Sequence, residues 1–289
     1  MSGRLLRPWR SPAGGPVTEP EPAALAELAR SVAQEAAGLL MTRHGAARIV
    51  DTKSSPTDVV TQMDRAAEEL IRRRIAEARP GDDFWGEEGG QTSTGHPVRW
   101  IVDPLDGTVN YLYGLPDWAV SIAAEVRGRV VAGVVCAPLR RATYLATLGG
   151  GAWLESGWLP QPQRLACNSG VALPDALVGT GFSYQAATRV SQGIVAAGLL
   201  PRVRDIRRAG SAALDLCSLA GGLLDAFYEA GLHDWDFAAG SLVAREAGAT
   251  VAGLHGNEPG EAMTLAAGPG LFAELHDLLA SLMPSATPG

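Results

Sequence analysis

The sequence predicts an α+β fold in which helices and sheets are stacked in layers. Three observations support this prediction. Apolar residues recur at helical spacing near the N-terminus, short β-rich runs separated by glycines follow between Trp118 and Trp153, and strands alternate with helices in the second half of the chain. The 289 residues, with 46% hydrophobic content, suffice for one large domain or two small ones.

The first elements are two amphipathic helices and a strand. Over residues 23–44 the apolar positions follow the helical period, and Gly45 comes after them as a stop. The same spacing predicts a second helix over residues 61–78. The apolar run Trp100–Val102 then predicts a buried strand. We expect Pro104 to end its pairing, because proline lacks a backbone donor.

The later elements alternate between the two periodicities. β-rich runs separated by glycines predict an antiparallel meander, with strands at residues 119–123, 130–135 and 142–146. Beyond the meander, we expect strands at residues 176–180 and 224–228. Helices are predicted at residues 186–199, 211–220, 236–247 and 271–282.

The ends of the chain have a different composition. Residues 1–22 are rich in Pro, Gly and Arg and lack the apolar region of a secretory signal, so they predict a disordered extension. Residues 284–289 are predicted to form a short tail. No apolar stretch approaches the roughly 20 residues that cross a bilayer, and we therefore expect no membrane association.

Charge and cysteine content exclude several classes of protein. A formal net charge of −7 and a pI of about 5.3 argue against a nucleic-acid binder. The basic run Arg202–Arg208 alternates with apolar residues and fits an exposed edge strand better. Cys136, Cys167 and Cys217 have neither a disulfide pattern nor zinc-ligand spacing, which is typical of a reducing cytoplasm.

The most informative segment follows the predicted strand. It places two carboxylates and a hydroxyl on an Asp-Gly turn. A chain leaving a sheet in this way would direct the Asp103 carboxylate, the Leu105 carbonyl and the Asp106 carboxylate toward one point. Oxygen ligands of this kind suit Mg²⁺ better than a soft metal. The N–H groups of the next two residues would face an anion beside that metal if they open a helix.

Two more acidic segments accompany this turn. Glu87 and Glu88 form a glycine-flanked pair after the apolar stretch 83–85. Asp236 stands where a helix is predicted to begin, since residues 237–248 carry apolar side chains at helical spacing and end in a glycine. Taken singly, an Asp-Gly pair is also typical of a plain turn, and Asp236 of a helix N-cap.

Five segments together resemble the Mg²⁺-dependent inositol monophosphatase family. Glu87-Glu88 is similar to the GEE motif of that family, Asp103–Thr108 to its DP(I/L)DGT motif and Trp235–Gly240 to its WDxAAG motif. Residues 57–64 resemble its TDLVTxxD segment, and residues 210–217 resemble its GSAALDLC segment. All five occur in family order, so the resemblance covers residues 23–283.

The resemblance implies a fold and an assembly. The fold is a layered αβαβα sandwich of the inositol monophosphatase and fructose-1,6-bisphosphatase type, forming a catalytic domain over residues 23–283. An N-terminal α+β half (residues 23–156) and a C-terminal α/β half (residues 157–283) would share one cleft. The implied assembly is a homodimer.

The resemblance also implies a metal centre with two or three Mg²⁺ ions. Glu87, Asp103 and the Leu105 carbonyl would hold the first ion. Asp103, Asp106 and Asp236 would hold the second, so that Asp103 bridges the two. Three carboxylates forced together repel one another strongly without a cation, which is a physical reason to expect one.

Thr108 and Asp64 are the implied water-activating pair, the carboxylate orienting the hydroxyl and the hydroxyl orienting the water. The alternatives are a helix-capping threonine and a solvated aspartate. Glu88 is expected beside the metal site or in solvent, and Lys53 near the phosphate or in solvent. The implied substrate contacts are Leu105, Asp106, Gly107, Thr108, Gly210, Ser211, Ala212, Glu229 and Asp236.

Glu229 carries the prediction of the substrate. It lies seven residues before Asp236, the spacing that inositol-phosphate enzymes use for a carboxylate that binds ring hydroxyls. A carboxylate accepts two hydroxyl hydrogen bonds, which suits a polyol; an exposed glutamate at a strand end is the alternative. Asn110, directly after the DGTV sequence, also favours the inositol type.

The predicted activity is hydrolysis of a small polyol phosphate, myo-inositol 1-phosphate above all, to the alcohol and phosphate by in-line attack of a metal-bound water. Alternatives within the family are histidinol phosphatase, fructose-1,6-bisphosphatase and 3′-phosphoadenosine 5′-phosphate phosphatase. A non-catalytic regulatory member is an alternative of a different class.

Overall fold

The computed structural model describes residues 20–44, 49–52 and 59–283. The predicted extension up to residue 19, Lys53, the Thr57-Asp58 pair of the first family segment and the predicted tail 284–289 lie outside the described residues.

Seven α-helices form within these residues. They are α1 (Pro22–Met41), α2 (Gln62–Ala78), α3 (Thr108–Tyr113), α4 (Ala186–Leu199), α5 (Ala212–Ala220), α6 (Asp234–Glu246) and α7 (Phe272–Leu282). Most of the predicted helix limits agree to within three residues. Helix α1 begins at Pro22, because the fixed φ of proline suits the first helical position.

The described residues also form fifteen strands. They are β1 (Ile49–Thr52), β2 (Val59–Thr61), β3 (Asp83–Gly86), β4 (Gly90–Thr92), β5 (Val98–Asp106), β6 (Ala119–Val126), β7 (Arg129–Ala137), β8 (Ala142–Thr147), β9 (Gly151–Ser156), β10 (Gln163–Arg164), β11 (Leu177–Thr180), β12 (Asp205–Arg207), β13 (Ala226–Glu229), β14 (Thr250–Ala252) and β15 (Thr264–Ala267).

Two large sheets organise the molecule. The first has eight strands in the order β10-β9-β8-β7-β6-β5-β3-β4, and its consecutive antiparallel strands β6 to β9 confirm the predicted meander. The second has five strands in the order β12-β11-β13-β15-β14, with β11 parallel to both of its neighbours. Strand β12 is an edge strand, as the basic run Arg202–Arg208 predicts.

Four apolar clusters separate five layers. Alternate residues of one strand face opposite sides of a sheet, so Ile122 packs in the cluster with α1 and α2, whereas Ala123 packs in the cluster with α5 and α6. On the other side of α5 and α6, Phe227 of the second sheet joins Leu216 and Phe237. A fourth cluster lies between that sheet and helices α4 and α7. The αβαβα sandwich is therefore confirmed.

The prediction that Pro104 ends the strand is wrong. Strand β5 continues to Asp106, and its pairing with β6 shifts register between Asp103 and Asp106. Pro104 lies inside this bulge, so its missing N–H costs no ladder hydrogen bond. The bulge is important for the site, because it re-aims the side chains at the end of the strand.

No helix in the described part of the chain is long and apolar enough to cross a membrane. The three cysteines, Cys136, Cys167 and Cys217, are free thiols.

Candidate active site

A cavity of about 670 Å³ lies where the ends of the two sheets meet the first turns of the helices between them. Eleven of the twelve predicted site residues line it: Glu87, Asp103, Leu105, Asp106, Gly107, Thr108, Gly210, Ser211, Ala212, Glu229 and Asp236. The twelfth, Asp64, is fully buried near the start of α2. The twelve residues come from six separate segments, so the fold brings the sequence motifs together at one place.

The bulge of β5 fixes the first carboxylate. Asp103 is buried, and its Oδ1 accepts a hydrogen bond from the Leu105 N–H at 2.9 Å. The Leu105 carbonyl in turn accepts a hydrogen bond from the Thr108 hydroxyl at 3.0 Å. Gly107 between them has φ of 93°, a left-handed conformation that favours glycine, and α3 begins at the next residue.

Asp106 connects the two halves of the chain. Its Oδ2 accepts hydrogen bonds from the Ser211 hydroxyl at 2.6 Å and from the Ala213 N–H at 2.8 Å. Ser211 is the N-cap of α5, and its hydroxyl oxygen also accepts from the Leu214 N–H. The DGT turn of the first sheet is therefore attached to the first turn of a helix from the C-terminal half.

The prediction that Asp236 begins its helix is wrong. Helix α6 starts at Asp234 with His233 as the N-cap, and Asp236 is the third helical residue. The Asp236 Oδ2 accepts the His233 N–H at 2.7 Å and so completes a capping box. Trp235 packs edge-on against Trp85, with ring centroids 5.7 Å apart, which fixes this first turn against the first sheet.

The acidic side chains influence one another strongly. Burial, followed by the charges of Glu87, Asp106, Asp236 and Asp64, raises the pKa of Asp103 well above its ordinary value. Burial and the same neighbours Glu87 and Asp106 raise the pKa of Asp236. Burial raises the pKa of Asp106 to about 6, although its hydrogen bonds from the α5 terminus oppose this shift. A cation among these groups would relieve the repulsion.

The donor chemistry fits a hard divalent cation, since the cluster offers carboxylate and carbonyl oxygens only. Among the described residues, however, no three His, Cys, Asp or Glu side chains are arranged closely enough to hold an ion. The oxygen donors and the mutual repulsion of the buried carboxylates nevertheless favour a cation here. A complete ligand shell around one ion would require side-chain rotations within the cavity.

Two predicted alternatives are wrong. Asp64 does not lie on a solvated helix face, because its side chain is buried and its charge acts on Asp103. Glu88 is not in solvent either: its side chain is 6% exposed, and its Oε2 lies 3.6 Å from the Arg65 Nε.

Glu229 lies at the end of β13 and lines the cavity. Burial and the charge of Asp106 raise the pKa of Glu229 to about 8, and the Arg208 guanidinium opposes this shift. The alternative of an exposed strand-end glutamate is therefore wrong. Its carboxyl group packs directly against Gly181, where an added Cβ would lie 2.0 Å from Oε1.

Sequence reasoning missed several residues near this glutamate. Gly181 and Arg208 line the cavity, and the buried Asp215 lies close enough to Glu229 for that charge to raise the pKa of Asp215, after burial itself. Asp215 was visible as the acidic residue four positions after Ser211 in the α5 segment. Gly181 has no such signal, because its role depends on a contact between two strands.

Comparisons with known proteins agree with this geometry. The sequence matches the model of the inositol monophosphatase family over residues 21–287. It is 46% identical over 274 residues to an inositol-1-monophosphatase of Mycobacterium bovis, covering 88% of this chain and 93% of that protein. It is 40% identical over 207 residues to the Nus factor SuhB of Salmonella typhimurium, covering 71% of this chain and 75% of that protein.

A solved structure is also similar. Mycobacterium tuberculosis SuhB superimposes with a TM-score of 0.78 at 42% identity, covering 91% of this chain and 98% of that one. Members of the matching family are generally metal-dependent phosphatases of small phosphate monoesters. The chain belongs to the inositol monophosphatase family and is a phosphoric monoester hydrolase.

Proposed function

We propose that the protein is a Mg²⁺-dependent phosphatase of small polyol phosphates, with myo-inositol 1-phosphate as its substrate. The observation that supports this proposal is the place of Glu229: its carboxyl group lines the same cavity as the acidic cluster but comes from a different sheet. The cavity therefore has one acidic region suited to cations and a second carboxyl group suited to hydroxyls.

The proposed metal ligands are those of the acidic cluster. Glu87, Asp103 and the Leu105 carbonyl would hold one Mg²⁺, and Asp103, Asp106 and Asp236 a second, with room for a third ion left open. Bound Mg²⁺ would supply positive charge to the phosphoryl oxygens and would increase the acidity of water.

Thr108 and Asp64 are proposed to orient the attacking water. The Thr108 hydroxyl donates a hydrogen bond to the Leu105 carbonyl at 3.0 Å, and its oxygen can still accept a hydrogen bond from water. Asp64 lies deeper, near Asp103, where its charge would favour proton removal from that water. Gly107 and the segment 210–212 line the cavity and would contact the phosphate.

Glu229 is proposed to accept hydrogen bonds from the hydroxyls of the leaving group as a carboxylate, the form that Mg²⁺ bound in the same cavity would favour. A carboxylate can accept hydrogen bonds from two vicinal hydroxyls. The imidazole of histidinol phosphate and the adenine of a nucleotide carry no such hydroxyl pair. Histidinol phosphate, fructose 1,6-bisphosphate and 3′-phosphoadenosine 5′-phosphate are the competing substrates. A regulatory role is the second candidate function, because one relative is named Nus factor SuhB. Against this candidate, every proposed metal ligand is present in this chain and lines the cavity.

Phosphate release from these four substrates in the presence of Mg²⁺ tests the proposal. We expect inositol 1-phosphate to give the highest kcat/KM, and Glu229→Gln to reduce it by about 10- to 100-fold, which is the effect of losing one charge-assisted hydrogen bond. Hydrolysis of a small aryl phosphate, which has no ring hydroxyls, serves as the matched control and should change little. Equal losses on both substrates would show that Glu229 acts on the metals or the fold.

We further propose a homodimer in the cytoplasm. The free thiols Cys136, Cys167 and Cys217 suit a reducing compartment, and the dimer is the assembly implied by the family. Sedimentation velocity at micromolar concentration tests the assembly, and a monomer at that concentration would contradict it.

A further inference from the structure

The glycine-flanked acidic pair is held by a residue that no motif assigned. Glu68 lies on α2 and is buried at 3% exposure. Its Oε2 accepts the Glu88 N–H at 2.7 Å, and its Oε1 accepts the Gly89 N–H at 2.8 Å. The two donors are the backbone groups directly after Glu87, so one carboxylate caps the turn that carries the proposed metal ligand.

The two flanking glycines make room for this carboxylate. A Cβ on Gly86 would lie 2.5 Å from Glu68 Oε2, and a Cβ on Gly89 would lie 2.6 Å from Glu68 Oε1. Neither glycine has a positive φ, so the backbone conformation itself does not require glycine at these positions. Gly86 and Gly89 are therefore explained by the space that the Glu68 carboxylate needs.

The charge of Glu68 is compensated where it lies. Arg72, one turn later on α2, donates to Glu68 Oε1 at 2.8 Å. The carboxylate therefore accepts three hydrogen bonds, two from the backbone and one from a guanidinium group, which makes a buried anion tolerable. A helical ion pair alone would not need the two backbone donors, since pairs at this spacing form readily on exposed helices.

Glu87 is thereby held from both sides. Its own N–H donates to the Val102 carbonyl of β5 at 3.3 Å, and the next two N–H groups donate to Glu68. Because these contacts fix the backbone at and directly after Glu87, they limit the directions available to its side chain, which lines the cavity beside Asp103.

We propose that Glu68 is a positioning residue, which holds the turn 87–89 so that Glu87 is presented to the cation site. This inference rests on the proposed function, in which Glu87 is a metal ligand. Groups that orient a metal ligand typically contribute about 10- to 100-fold to metal affinity.

The test compares Glu68→Gln with Glu77→Gln. Glutamine keeps the shape but replaces one acceptor oxygen by an amino group, which would face a backbone N–H. Glu77 is the matched control, because it lies on the same helix, is 55% exposed and forms an ion pair with Arg74 at 3.2 Å. Calorimetric titration of the metal-stripped proteins with Mg²⁺ measures an affinity that does not depend on turnover. The Mg²⁺ dependence of phosphate release provides a second measure of that affinity.

We expect Glu68→Gln to weaken Mg²⁺ binding by about 10- to 100-fold, with a smaller change in kcat at saturating Mg²⁺, and Glu77→Gln to match wild type. In a double-mutant cycle, Glu68→Gln should add little to the loss caused by Glu87→Gln, because both act through the same ligand. If Glu68→Gln unfolds the protein, Gly89→Ala replaces it, since the added methyl group displaces the same carboxylate.

Wild-type affinity in a folded Glu68→Gln or Gly89→Ala protein, while Glu87→Gln weakens binding, would overturn the positioning role alone. Additive losses in the cycle would also overturn it. A Glu87→Gln protein that binds Mg²⁺ as tightly as wild type would instead reject the proposed ligand, and the role of Glu68 with it.

Discussion

Replacement of Gly181 by alanine provides a sharp test of substrate recognition. Gly181 directly follows β11, and the carboxyl group of Glu229 packs against its α-carbon. A Cβ at this position would lie 2.0 Å from Glu229 Oε1 and 2.1 Å from both Oε2 and the carboxyl carbon. Because φ of Gly181 is not positive, alanine brings no backbone strain, and the perturbation is confined to the space that the carboxyl group needs.

The size of the effect follows from these distances. Ordinary van der Waals contact with a Cβ begins at 3.4 Å, so the Glu229 carboxyl group must move by more than about 1 Å. A shift of this size would remove the proposed hydrogen bond between Glu229 and a ring hydroxyl. The loss of a charge-assisted hydrogen bond costs about 1.5–3 kcal/mol, and the expected decrease in kcat/KM for inositol 1-phosphate is about 10- to 100-fold.

The assay is phosphate release from inositol 1-phosphate and from a small aryl phosphate under the same Mg²⁺ conditions. Gly193→Ala is the matched control, because Gly193 lies on α4 and an added Cβ there has no neighbour within 4 Å. We expect only Gly181→Ala to lose activity, and only on the inositol substrate. Unchanged hydrolysis of inositol 1-phosphate by a folded Gly181→Ala protein would refute the reasoning, and so would equal losses on both substrates.

Three further predictions concern the carboxylates. Asp103→Asn should abolish turnover and keep the native circular dichroism spectrum, since an amide cannot supply the charge that bridges two cations; activity within tenfold of wild type at saturating Mg²⁺ would reject the bridging role. Li⁺ should inhibit at the site formed by Asp103, Asp106 and Asp236, whereas K⁺ at equal ionic strength should not, and equal effects of the two salts would show a differently built site. Without Mg²⁺, burial raises the pKa of Glu229 from 4.5 to about 8, so its stabilising contribution is present below pH 4.5 and is lost as the pH rises toward 8. Relative to Glu229→Gln, the wild-type free energy of unfolding in urea should therefore fall over that window by at most about 1.4 kcal/mol per pH unit; parallel pH profiles would contradict this.

The sequence predicted those parts of the fold that depend on local periodicity. Helix α4 has the predicted limits, residues 186–199, because its boundaries coincide with the change of apolar spacing. The meander was predictable for the same reason. Most of the candidate site was predictable as well, since Asp103, Asp106 and Asp236 each lie within three residues of the end of an element, where the fold directs side chains into one cavity.

Other features depend on contacts between distant segments and could not be predicted. Pro104 was wrongly expected to end the pairing of its strand. The bulge in the pairing of β5 with β6 places Pro104 where no backbone N–H is needed. Asp236 was placed at the start of α6, because a capping box and an N-cap aspartate have similar sequence patterns. The Glu229 carboxyl group that packs against Gly181 is 48 residues away along the chain. The backbone N–H groups that donate to Glu68 are 20 and 21 residues away from it.

Helices α5 and α6 have a consequence for how the chain reaches its native state. They come from residues 212–246, yet they cover one face of a sheet made from residues 83–164. During synthesis, that face remains uncovered until both helices have left the ribosome, and a fragment ending at residue 156 would keep it exposed, which favours aggregation. Since the same two helices also pack on the second sheet, loss of either sheet uncovers them, and we expect both sheets to unfold in one cooperative transition.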